Sequence, residues 1–149
     1  MCSKSVRPVL ARTDDLEAMK ELGERSGWEP EERPLRGVVI AYGYFTGERL
    51  VGCAALQVLE GYHFLEYVAV DSAHRNHGLG SSLVAKIEDE ARARGIKELW
   101  AKARLPGFYE KIGFRAHSAE SHGPKSIEDC RSCPQYRRTC YPSMVVKTL

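Results

Sequence analysis

The sequence predicts an α/β fold built on a mixed central sheet of about six to seven strands with flanking helices. Three observations carry that expectation. Three β-rich runs follow one another between residues 38 and 70, separated by turn residues. The hydrophobic period then changes to that of a helix over residues 81–95, and short strand-like segments return after it. With 149 residues the chain can bury one substantial core but not two ordinary ones, so a single domain over 1–149 is expected.

Each element has its own justification. "VRPVLARTDDLEAMKELGERSGW" reads as a short strand and a helix, because Asp14 and Glu17 have capping-box spacing and Leu16, Met19 and Leu22 follow a helical period. That helix should end between Gly23 and Gly27. "EPEERPLRG" has two prolines and no period, which makes it a loop. "VVIAYGYF" and "LVGCAALQVL" are strands joined by a turn at Gly47, and "YHFLEYVAV" completes a meander. In "SSLVAKIEDEARARG", Leu83, Val84, Ile87 and Ala91 form one stripe while Lys86, Glu88, Asp89 and Arg92 lie away from it, and Gly95 is a natural stop. "IKELWAKA" is a strand, "PGFYEKIG" a short helix, and "FRAHSA" and "SMVVKTL" are the last strands. Between them, residues 120–142 hold three prolines, three cysteines and no apolar pattern, where loops usually run about 4 to 6 residues.

Composition narrows the function classes. Charged residues make up 28% and the net charge is +2, so no extended basic face for nucleic acid is expected. No apolar run reaches signal-peptide or membrane-span length, which points to a cytoplasmic protein with no membrane partner. Five cysteines, an odd number, fit reduced thiols or metal ligation better than a disulfide framework, and Cys53 sits in an apolar run as a core residue.

The chemistry centres on "RNHGLG", residues 75–80, which follows a strand and opens directly into the best helix of the chain. Gly78 and Gly80 allow a tight turn, so that successive N–H groups converge on an anion. The helix N-terminus contributes about half a positive charge and Arg75 a whole one, which suits a pyrophosphate. There is no G-K-[ST] ending, and residue 83 is leucine, so neither the triphosphate loop nor the dinucleotide fingerprint matches.

"VAVDSAHRNHGLGSSLV", with "FYEKIGF" after it, resembles the GNAT superfamily of N-acetyltransferases, which move an acetyl group from acetyl-CoA to an amine. Within it the chain is most similar to the small N-acetylglutamate-synthase-like group with a C-terminal cysteine segment. The resemblance implies a splay between the fourth and fifth strands, with pantetheine along Val68, Ala69 and Val70 and the pyrophosphate on Arg75, Asn76, His77, Gly78, Leu79, Gly80 and Ser81. "LWAKARLPG" departs from the threonines expected after the fifth strand, which bears on the acceptor more than on the chemistry.

Acyl transfer to an amine needs a neutral nucleophile, a polarised carbonyl and a stabilised thiolate. Tyr109 matches the family position whose hydroxyl meets the CoA sulfur. Glu66 is the only carboxylate inside its strand, and alternation puts it on the side of Phe64 and Val68, so it is read either as the base or as a structural carboxylate. A main-chain N–H at Val68 or a neighbour is the candidate for the carbonyl. His77 is expected to face solvent. For a small amine or amino-acid acceptor, Trp28 and Glu29 with Glu31 and Glu32 could receive a cation, or form a plain acidic turn, and Arg104 could hold a carboxylate.

Cys130, Cys133 and Cys140 have ligand-like spacing, with His122 or His117 as a fourth zinc ligand. Packed thiols and a reversible disulfide are the alternatives. The expected function is direct acetyl transfer, possible also as a homodimer since dimers are common in the resembled family; a non-catalytic acyl-CoA-binding or metal-responsive module is the competing class.

Overall fold

In the computed structural model the described residues are 7–27, 36–103, 106–117, 124 and 143–149. They form a seven-stranded sheet in the order β1-β2-β3-β4-β5-β7-β6. The strands are β1 (Val9–Thr13), β2 (Val38–Thr46), β3 (Arg49–Leu59), β4 (Tyr62–Val70), β5 (Glu98–Ala103), β6 (Arg115–Ala116) and β7 (Ser143–Thr148). Only β4 and β5 run parallel; the other neighbours are antiparallel. The meander is therefore present, and the sheet is mixed, as the sequence predicts.

Helix α1 (Leu16–Arg25) and helix α2 (Leu79–Ala93) cover opposite faces, and a short α3 (Pro106–Lys111) precedes β6. Met19 and Leu22 of α1 pack with Cys53 and Ala55 of β3 on one face. Leu83, Val84, Ile87 and Ala91 of α2 pack with Leu56, Leu65 and Leu99 on the other, joined by Phe108, Tyr109 and Ile112. Cys53 is fully buried, as expected of a core thiol. No described helix is long and apolar enough to cross a membrane.

Three local expectations need correction. The α1 cap is Asp15, whose carboxylate accepts from Ala18 N–H at 3.0 Å, while Asp14 offers its carbonyl to Leu16 N–H. α2 begins at Leu79, two residues before the predicted start, because Gly78 at φ 78° ends the loop there. Glu88, assigned to the solvent side of α2, is only 6% exposed, because Lys147 of β7 reaches it. A 3-10 turn, Ser72–His74, also lies between β4 and the glycine loop; Asp71 caps it by accepting from Ala73 N–H.

β4 carries the irregularity that opens the sheet. Ala55 faces Glu66 and Cys53 faces Ala69, so β4 spends three residues where β3 spends two. The extra residue is Tyr67, at φ 56°, a left-handed conformation unusual for an aromatic side chain and the mark of a bulge. Beyond it the alternation inverts. Glu66 keeps the face of Phe64, opposite Ala55, but Val68 packs into the α2 core instead, which overturns the expectation that Glu66 and Val68 share a side. On the other edge, β4 and β5 pair at one register position, Phe64↔Trp100, and the parallel strands separate past it.

Candidate active site

The separation of β4 from β5 opens a cleft of about 930 Å³ that runs to the N-terminus of α2. Its walls include Glu66, Val68, Ala69, Val70, Arg75, Asn76, Gly78, Leu79, Gly80, Ser81 and Tyr109, so the structure brings these sequence-predicted residues together. His77 is exposed, as expected, and the cleft lining does not include it. Trp28, Glu29, Glu31, Glu32, Arg104, His122, Cys130, Cys133 and Cys140 lie outside the described residues. His117, the other zinc candidate, packs edge-on against Trp100 with ring centroids 4.7 Å apart. Among the described residues no group of His, Cys, Asp or Glu has the makings of a metal site.

One end of the cleft is main chain. Asn76 and Gly78 take left-handed φ values of 66° and 78° in the turn that leads into α2, and the first residues of that helix, Leu79, Gly80 and Ser81, line the cleft. Among the described residues no side chain caps that helix, so its positive end is left to whatever enters. The Arg75 Nε donates to Val70 carbonyl at 3.1 Å, which lays the guanidinium along the loop. An uncapped helix head, a turn without bulk at Gly78 and an arginine beside them fit the phosphates of CoA.

The bulge in the middle of the cleft is held from β3. Cys53 Sγ donates to the Tyr67 carbonyl at 3.2 Å. Gln57, itself buried, donates through Nε2 to the Tyr67 hydroxyl at 3.1 Å and to the Arg36 carbonyl at 2.9 Å. Because Ala69 pairs with Cys53 across the ladder, its N–H faces β3, and Val68 and Val70 are the main-chain positions that remain candidates to polarise a carbonyl in the gap. Burial pushes the Cys53 thiol up to about 12, so it is a pin and not a nucleophile.

Tyr109 sits on α3 between Phe108 and Phe114, meeting both rings edge-on at 5.3 and 5.5 Å. Burial first, and then the charge of Glu66 across the gap, raise the Tyr109 phenol well above its ordinary value. A phenol in that state stays protonated and acts as a hydrogen-bond donor.

The remaining end is made of side chains that sequence reasoning missed. Lys20, Glu24 and Ser26 from α1 and its end, Tyr67 and Lys102 line the cleft, and His74 lines it from the turn next to Arg75. Lys20 and Glu24 are one helical turn apart, a spacing that the sequence does display. Lys102 is the only charged residue in the apolar core "LWAKA" of its strand, the one signal that could have found it. Its ammonium lies 5.8 Å from the Phe64 ring centroid. Glu66 and Lys102 each stand two residues beyond the last ladder pair, Phe64↔Trp100, on the same face: an acid and a base flank the opening.

A profile of the Acetyltransferase (GNAT) family matches residues 9–114. The chain belongs to that family. Among curated GNAT relatives, it is 29% identical over 102 residues to an uncharacterised N-acetyltransferase of Chlorobaculum tepidum, covering 68% of this chain and 65% of the other. It is 33% identical over 82 residues to the glucosamine 6-phosphate N-acetyltransferase of Trypanosoma brucei brucei, covering 48% and 55%. The chain thus matches a little over half to just under two thirds of the length of these relatives. The N-acetylglutamate synthase of Neisseria gonorrhoeae, solved with coenzyme A and N-acetyl-glutamate, superimposes with a TM-score of 0.72 at 22% identity, covering 95% of this chain and 35% of that one. The two share the fold.

Proposed function

We propose that this protein is an acetyl-CoA-dependent N-acetyltransferase that passes the acetyl group directly to the amine of a small acceptor, an amino acid or a related amine. One observation carries the reading. A single cleft joins an uncapped helix head, a bulged strand, the protonated Tyr109 and the carboxylate of Glu66.

Bound acetyl-CoA supplies a thioester carbon for the acceptor nitrogen: a C–N bond forms, the C–S bond breaks, one proton leaves the amine and the departing sulfur takes one up. The first N–H groups of α2 and Arg75 hold the phosphates, and Val68, Ala69 and Val70 run beside the pantetheine arm. The main chain at Val68 or Val70 donates to the carbonyl oxygen. Tyr109 donates a hydrogen bond to the sulfur. A thiol has a pKa of about 8.5, and the Tyr109 phenol lies above the ordinary value of about 10, so full proton transfer from it is uphill while a hydrogen bond is not.

Glu66 faces the amine, as partner of its ammonium form and as the route by which its proton leaves. An α-amine, near pKa 8, is already partly neutral at pH 7, whereas a lysine ammonium near 10.4 is not, so an α-amine needs less of that base. Lys102, across the opening from Glu66, suits a carboxylate on the acceptor. The test is release of free CoA thiol from acetyl-CoA across a panel of amino acids, polyamines and peptides. Thiol release that depends on one acceptor class, with the acetyl group recovered on its nitrogen, is expected. Measured CoA binding with no release for any amine would favour a binding module instead.

A further inference from the structure

Lys147 on β7 lies outside the cleft, yet it bonds two of the elements that build it. Its ammonium meets Glu88 of α2 through both carboxylate oxygens, each at 3.0 Å, and donates to the Ile112 carbonyl at 2.7 Å. These contacts match the three N–H groups of a lysine. The Glu88 side chain is 8% exposed and that of Lys147 22%, and Arg92 approaches Glu88 at 3.5 Å from the solvent side. The turn it grips is the one that closes α3. Ile112 and Phe114 donate their N–H groups to the Tyr109 carbonyl at 3.2 and 3.0 Å. Gly113, at φ 96°, leaves room for the ammonium, since a Cβ there would stand 3.1 Å from Lys147 Cε and 3.3 Å from its Nζ.

We propose that Glu88 and Lys147 are a positioning pair for Tyr109: they fix the turn behind α3 to the flank of the helix whose head holds the phosphates, and so set the phenol at the sulfur. The inference rests on the Tyr109 role given above. Stability alone is a poor reason for such a pair, because well-packed apolar residues of similar volume commonly replace a buried ion pair at little cost. What apolar residues cannot replace is the directional bond to Ile112 carbonyl. The geometry therefore separates folding from placement.

The test replaces both partners, Glu88→Leu with Lys147→Leu, in protein labelled with 3-fluorotyrosine at its seven tyrosines. Tyr109→Phe identifies the Tyr109 resonance. In the wild type that resonance moves when CoA is added. In the double variant CoA is expected to bind within about threefold of wild type, while the Tyr109 resonance no longer moves and turnover falls about tenfold at unchanged KM for acetyl-CoA. A resonance that still moves, with turnover intact, would overturn the pairing and leave the role of Tyr109 standing. A wild-type resonance that ignores CoA would instead remove Tyr109 from the sulfur, and the inference with it. Should the double variant fail to fold, Lys147→Arg answers the same question, because it keeps the charge but places a longer, planar head between Gly113 and Glu88. It is expected to lower turnover with CoA affinity retained, and wild-type behaviour in it would equally refute the pair.

Discussion

The two ends of the cleft are built from different materials. At the head of α2 the wall is main chain, turned by Asn76 and Gly78 and left without a capping side chain. Past the ladder's last pair, Phe64↔Trp100, the wall is side chains: Lys20, Glu24, Glu66 and Lys102. Main-chain geometry is set by glycine and by the helix dipole, so it can hold the same phosphate under many sequences. Side chains can be exchanged one at a time, and in the proposed function the second end is where acceptor choice is set. Tyr109 lines the same cleft, and in the proposed reaction it serves the step that both ends share.

Substitutions can break that division, and the largest effect is expected in the middle. Tyr109→Phe should lower turnover about a hundredfold and leave CoA affinity within about twofold, because a donor felt only as the sulfur departs contributes to rate and not to binding. The raised phenol gives this a pH signature: the donor is lost only above its elevated pKa, so turnover should show no alkaline decline from Tyr109 up to about pH 10. A descending limb near pH 9 that vanishes in the Phe variant would sink the assignment.

At the main-chain end, Gly78→Val forces a β-branched residue to φ 78° where nothing stands within 4 Å of its Cβ, so conformation alone is at stake. A left-handed cost of about 1–2 kcal/mol, with a displaced N–H array, corresponds to a loss of about five- to thirtyfold in CoA affinity. Gly47→Val, at φ 61° in the β2–β3 turn and equally unobstructed, is the control: it should lower the melting temperature by a similar strain and leave CoA binding alone. At the side-chain end, Lys102→Ala should raise KM about tenfold for acceptors that carry a carboxylate and much less for simple amines. Equal effects on both would detach Lys102 from acceptor choice. The smallest effect belongs to Cys53. With its thiol near 12, about one molecule in 10⁴ is thiolate at pH 8, so iodoacetamide should leave the Cys53 peptide unmodified until the protein unfolds.

How far the sequence foretold this depends on the range of the interactions involved. The stripe Leu83, Val84, Ile87 and Ala91 is a local period, and it is buried as read. The turn at Gly78 is likewise written in adjacent residues. Glu88 misled because its partner, Lys147, lies 59 residues away, and no spacing within α2 announces it. The bulge at Tyr67 is invisible for the same reason: "FLEYVAV" alternates as any strand does, and what displaces it are Cys53 and Gln57 on the neighbouring strand. The shift of the α1 cap from Asp14 to Asp15 is a choice between adjacent equivalent residues, settled by which carboxylate reaches Ala18. Glu66 lines the cleft but on the other face from Val68, because of the same bulge, while Lys102 is legible as a lone cation in an apolar strand.

The division of labour is tested most directly by titrating CoA calorimetrically into the wild type, Gly78→Val and Lys102→Ala with no acceptor present. Saturable one-to-one binding is expected in the wild type, binding about five- to thirtyfold weaker in Gly78→Val, and an unchanged isotherm in Lys102→Ala. Equal losses in both variants, or no CoA binding by the wild type, would contradict the account.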